Sequence, residues 1–365
     1  MLKLLEYIQN QINYSIDIYY DNQLIQNPND QQIILIQKAN TIVIGDLHGN
    51  INKAIEILIL AKVITLEINS LKIFRNLFNS NRFENSDIIS ELIEIIKTIK
   101  INSTKKIIFL GDILGDRVGN DILGLVFINH LRTLELSVET LIGNHDHVCN
   151  FNDVNQANFM KDYADSFFKA LSIIEQNQNK YNNQYQVNNL LKNFISKSKL
   201  IILEKNTLFI HGAIRKRNLI TFQKLLVSLN ILPRDFVLDA NSLPFLCDQI
   251  NQFYINYRNN NLYQNKKYVI ENCILKDTHD FNQREFEGFL WVGEHHYLKD
   301  YKLFLELGVE TIIHGHDSFD KDSVFNPKNK SDNQSFTVIN LDNICGKNLE
   351  SDNEVLPLFC LFNSL

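Results

Sequence analysis

TIVIGDLHGN, residues 41–50, sets four apolar or β-branched residues in front of a turn that carries Asp46 and His48 between Gly45 and Gly49. A run of that length and composition reads as a buried strand, and the two glycines allow close backbone approach at the turn. Alone, such a D-x-H turn is ordinary. The design recurs in KKIIFLGDILGDR (105–117), VETLIGNHD (138–146), NTLFIHGA (206–213) and VETIIHGHD (309–317). One apolar run with a polar turn needs no more than a core strand to explain it. Five in succession, each ending on a carboxylate, imidazole or amide, point to one converging site.

Segments with helical periodicity lie between these runs: NKAIEILILAKVI (52–64), SDIISELIEIIKTIK (86–100), MKDYADSFFKALSII (160–174) and NLITFQKLLVSLN (218–230). The alternation predicts an α/β (α+β) chain, a two-layered sheet flanked by helices. IILIQKANTIVI (33–44) and SFTVINLDN (335–343) read as further strands of the same layers, and the Asn/Gln-rich EQNQNKYNNQYQVNN (175–189) as an exposed loop or helix-hairpin tip. The ligand-type residues are widely separated, with 66 positions from Asp46 to Asp112, 67 from Asn144 to His211 and 105 from His211 to His316. One catalytic domain over 1–365 is therefore expected, with helical insertions at about 66–104, 150–200 and 215–280.

Composition narrows the function. A net charge of −6 gives no positive field to draw in nucleic acid or an anionic membrane. No apolar run reaches the length of a membrane span, and MLKLLEYIQNQ at the N-terminus lacks the pattern of a secretory signal. The five cysteines are scattered and never form a C-x-x-C pair, which argues for reduced thiols and a cytosolic setting.

The five strand ends carry the chemistry. Carboxylate, imidazole and amide groups suit hard or borderline divalent cations. With Asp112 bridging, one ion would take Asp46, His48 and Asp112, and a second Asp112, Asn144, His211 and His316. Two ions so held supply an activated hydroxide and polarise a phosphate between them, which implies in-line displacement at phosphorus. His145 is the expected proton donor to the leaving oxygen, with Asp116 raising its pKa and fixing its tautomer. Arg117 offers a planar fork to phosphate oxygens, with Asn144 beside them. His314 is expected on the opposite face of its strand end from His316; His295, His296 and His147 receive no role, and Cys149 reads as an inert thiol.

In this order, GDLHG, GDILGDR, GNHD, HGA and GHD resemble the signature of the phosphoprotein phosphatase family: GDxHG, GDxVDRG, GNHE, HGG and a late histidine. The resemblance implies the calcineurin-like metallophosphoesterase fold, a β-sandwich flanked by helices, with two divalent ions, manganese first and iron or zinc as alternatives. It also has departures. GDILGDR is one residue longer, so Asp116 and Arg117 match through a bulge; Asp146 replaces Glu, and Ala213 replaces a glycine. FLWVGEHHY (289–297) puts Gly293 where many bacterial members carry a phosphate-binding arginine, leaving Arg215, Arg217 and Arg284 as substitutes. The long GDILGDRVGND form, the insertions and the Asn/Ile-rich composition are similar to the Wip-type effector phosphatases that Legionella translocates into host cells.

The expected function is a protein phosphatase acting on phosphoserine or phosphothreonine. Phosphotyrosine or diadenosine tetraphosphate hydrolysis are the rivals on the same site, and a module that binds partners without turnover is the rival of another class. A translocated effector would work in the host cytoplasm on a phosphoprotein, gripping a host protein through its helical insertions.

Overall fold

The computed structural model describes residues 40–80, 85–114, 120–148, 187–212, 214–260, 263, 266–275, 289–290, 297–316, 324–325, 336–341 and 359–362. Among them lie twelve strands: β1 (Thr41–Ile44), β2 (Ile64–Thr65), β3 (Lys100–Ile101), β4 (Lys106–Phe109), β5 (Val138–Leu141), β6 (Ser198–Lys199), β7 (Ile201–Glu204), β8 (Thr207–Ile210), β9 (Thr311–His314), β10 (Val324–Phe325), β11 (Thr337–Asn340) and β12 (Phe359–Phe362). The helices are α1 (Ile51–Leu60), α2 (Ile68–Asn79), α3 (Ser86–Lys97), α4 (Asp121–Thr133), α5 (Asn144–Val148), α6 (Val187–Ser196), α7 (Lys216–Ser228), α8 (Leu243–Asn260), α9 (Lys267–Leu275) and α10 (Tyr297–Glu306).

Two five-stranded sheets result, ordered β12-β1-β4-β5-β6 and β10-β11-β9-β8-β7, beside a small β2-β3 ribbon. In the first, β1, β4, β5 and β6 are parallel and β12 runs antiparallel to β1. In the second, β8, β9 and β11 are parallel, flanked by antiparallel β7 and β10. Side-chain alternation shows how they stack. Val43, Ile108, Leu110 and Leu141 of the first sheet form one cluster with Ile202, Phe209, Ile313 and Leu341 of the second, so these faces meet. Their neighbours in sequence, Ile42, Ile44, Ile107, Phe109, Leu208, Ile210 and Ile312, point the other way into a larger core shared with the helices. Strands covered on both faces require the near-continuous apolar runs seen in the sequence. Each Leu, Ile or Phe side chain so buried contributes about 1.5–3 kcal/mol.

The outcome is a mixed α/β architecture, with all five motif runs forming strands where expected. The helix expected over 52–64 is shorter. α1 stops at Leu60, Lys62 takes φ +55°, and the Val63 N–H bonds back to Leu58 O at 2.8 Å. That is the hydrogen-bond pattern of a Schellman ending. Apolar periodicity ran past this point because Val63 and Ile64 stay in the core after the backbone has left the helix. In the Asn/Gln-rich stretch, residues 187–189 open α6, and 175–186 lie outside the described residues, as do the helix expected over 160–174 and the strand residues before 40.

Candidate functional site

Parallel strands in one sheet bring their C-terminal ends to one edge, where loops present side chains to a common point. β1, β4 and β5 deliver Asp46, His48, Asp112, Asn144 and His145 from the first sheet, and β8 and β9 deliver His211 and His316 from the second. The edges converge: His211 Nε2 is 2.9 Å from Asn144 Oδ1. All of these side chains are buried except that of His316, which is half-buried.

Asp112 stands at the centre. Nε2 of His48 and Nε2 of His145 each lie 3.8 Å from its Oδ2, while His211 Nε2 lies 3.5 Å from Oδ1. Its two oxygens therefore face two sets of imidazoles, His48 with His145 and His211 with His316, and each set with Asp112 is compact enough to hold a metal ion. Donor atoms about 2.1 Å from one ion stand about 3–4 Å apart, as do these three pairs with Asp112. Asp46 sits on the His211 and His316 side, 3.9 Å from His211 Nδ1, and accepts the His316 backbone N–H at 3.2 Å.

Glycines and backbone strain fix this arrangement. A Cβ on Gly143 would lie 2.0 Å from Asp112 Oδ1, and one on Gly315 would lie 2.1 Å from Asp46 Oδ1. His48, Asp112 and His316 all adopt positive φ, +47°, +47° and +70°. Non-glycine residues are uncommon there, and the strain is tolerated where a site over-determines the geometry.

Burial, with His316 as the next contributor and His145 and His314 adding, holds the His211 imidazole well below its ordinary pKa, against the pull of the Leu110 carbonyl. It is kept neutral, the form that ligates a metal. The donor chemistry thus fits divalent cations: two carboxylates, an amide and a group of imidazoles, of which the fully buried His211 is held neutral.

Asp146, which replaces the glutamate of the resembled motif, has a definite place. It accepts backbone N–H groups of Leu114 and Gly143, each at 2.9 Å, tying the loop after β4 to that after β5. Burial pushes its carboxyl up to about 6 even though the N–H groups of Gly143, Leu114, Ile113 and Asp112 pull down. His147 is also engaged: its Nδ1 is 2.9 Å from Tyr254 Oη. Only the tertiary fold brings that pair together. His314 is fully buried with Nδ1 on the Gly315 carbonyl at 2.8 Å, outside both compact groups. Arg215 is buried where α7 begins, its N–H donating to Asn218 Oδ1 at 3.1 Å, while Lys216 and Arg217 are exposed. Asp116, Arg117, Cys149, Ala213, Arg284, Gly293, His295 and His296 lie outside the described residues.

Residues 106–347 match the model of the WipA-like phosphatase domain, and the chain belongs to that family. The matched stretch includes Asp112, Asn144, His145, His211 and His316; the turn with Asp46 and His48 precedes it. Among solved structures, the phosphatase domain of the Legionella effector WipB has a similar fold, with TM-score 0.51 and 17% identity over 83% of this chain and 98% of that one. A cold-active protein-tyrosine phosphatase of a Shewanella species gives TM-score 0.40 and 15% identity over 84% of this chain and 71% of that one. No curated protein matches the chain.

Proposed function

We propose that this phosphatase is a calcineurin-like, metal-dependent phosphoprotein phosphatase acting on phosphoserine or phosphothreonine. The observation that carries the reading is Asp112, whose two carboxylate oxygens face separate imidazole groups in a buried cluster. Asp46, His48, Asp112, Asn144, His211 and His316 would hold two divalent ions, manganese first and iron or zinc as alternatives. Such a pair, when bound, supplies Lewis-acid polarisation of phosphate oxygens and an acidified water as the nucleophile.

The protein's own groups do the rest. His145 stands beside His48 at Asp112 Oδ2, its Nε2 at 3.8 Å from that oxygen, its backbone N–H on Oδ1 at 3.0 Å and its ring edge-to-face with His48 at 4.9 Å between centroids. It is the group to protonate the leaving oxygen, with Asp116 as the partner proposed to orient it. Arg117 and Asn144 would bind the phosphate oxygens.

The test is turnover of phosphoserine, phosphothreonine and phosphotyrosine peptides and of a dinucleoside tetraphosphate, after chelation and again with Mn²⁺ restored. Metal-restored hydrolysis of the first two is expected and should vanish in Asp112→Asn and His145→Ala. Undiminished activity in chelator, or in either variant, sinks the mechanism; preference for phosphotyrosine or the dinucleotide reassigns the substrate. Action inside a host cell on a host phosphoprotein gripped by the helical segments is part of the proposal, tested by a translocation reporter fused to the chain.

A further inference from the structure

The inference concerns His147 and Tyr254, two buried side chains given no role above, and it rests on the proposed function. α5 has five residues, too few to hold its own shape in isolation. Its side chains leave the axis about 100° apart, and four in a row are each fixed from outside the helix, by the loops after β8 and β4 and by α8. Asn144 meets His211 beyond β8 at 2.9 Å; His145 stands against Asp112 beyond β4; Asp146 takes the Leu114 N–H; His147 Nδ1 meets Tyr254 Oη on α8 at 2.9 Å. His145 and His147 point about 200° apart, so α5 is clamped between Asp112 and Tyr254.

The Tyr254 side of the clamp is itself anchored. Tyr254 is fully buried, and one turn earlier Asn251 fastens α8 to the strand edge, accepting from Leu200 and Ile201 N–H at 2.9 and 3.2 Å and donating to Ile201 O at 2.8 Å. We infer that Tyr254 is a positioning residue for the phosphatase reaction: through His147 it fixes the rotation of α5 about its axis, and so the placement of the His145 ring and the Asn144 amide. The lever is short. A ring nitrogen about 6 Å from a helix axis moves about 1 Å when the helix turns by about 10°, and misplacement of that size costs up to about a hundredfold in rate.

Tyr254→Phe removes the hydroxyl and keeps the ring. With saturating Mn²⁺, kcat should fall about ten- to a hundredfold while KM stays within about twofold, as the proton donor is displaced more than the phosphate pocket. His147→Phe should show the same split, and the double variant should lose no more than either single one. Asn251→Ala loosens the anchor of the same helix but keeps the His147–Tyr254 bond; it should lower the thermal midpoint and, at temperatures where it is folded, reduce kcat by less than Tyr254→Phe does. Wild-type kcat in Tyr254→Phe, or an equal loss of kcat in Asn251→Ala, overturns the inference. A wild-type enzyme without metal-dependent turnover instead removes the proposed function beneath it, so the two failures are distinguishable.

Discussion

At Gly315 a single methyl group would collide with the Asp46 carboxyl proposed as a metal ligand, since its Cβ would sit 2.1 Å from Asp46 Oδ1. Gly315→Ala should therefore weaken metal binding about ten- to a hundredfold without removing a donor atom, as read by titrating Mn²⁺ into chelator-stripped protein; unchanged affinity would show that Asp46 has slack. Glycines before the ligands were legible in the sequence, but their uses differ. Gly49 has φ +76°, whereas Gly45 leaves room for the Leu341 carbonyl of the second sheet, 2.0 Å from where its Cβ would be. His211 sets a pH limit. Its folded pKa lies well below 6.5, so as pH falls through 6.5 the unfolded chain takes a proton that the folded chain refuses. The metal-free protein should keep a level thermal midpoint above pH 7 and lose it progressively below about 6.5. Asp146, pushed up to about 6, works the other way below that pH, so the loss is read in Asp146→Asn, where a midpoint that rises on acidification would contradict a buried neutral imidazole.

Among elements, strands were the easiest to read because a strand buried on both faces has to be apolar at every position, which leaves a local signature. α5 left none. GNHD looked like the loop after a strand, yet Asn144 begins a helical turn whose geometry depends on Asp112, Leu114, His211 and Tyr254. The last of these is 107 positions from His147, and no pattern within either segment announces the other. For the same reason the six ligand-type residues could be picked out in sequence, while the pairing of Asp46 with the second sheet could not. Capping gives a test at this scale. Buried Asn120 accepts the Leu123 N–H at 3.0 Å and opens α4, which packs against β5. Asn120→Ala should cost about 1 kcal/mol in urea unfolding; a neutral result would mean that water or another group satisfies the helix end equally well.

For the molecule as a whole, the cluster draws donors from both sheets, Asp46, His48, Asp112 and Asn144 from one and His211 and His316 from the other. Ions bound there would cross-link the two layers. At a free metal concentration a hundred times Kd, one site stabilises the fold by about 2.7 kcal/mol. Chelation should accordingly lower the melting temperature by several degrees, and an indifferent melting curve would count against the ions bridging the sheets. The order of strands carries a further consequence. β1 is edged by β12, with Thr41 opposite Phe362. A ribosome releases β1 hundreds of residues before β12, so a growing chain carries one open hydrogen-bonding edge over that whole interval. His316 follows Asp46 by 270 positions, so a growing polypeptide that has released only the first sheet's donors lacks part of the cluster, and the proposed activity waits on the second sheet.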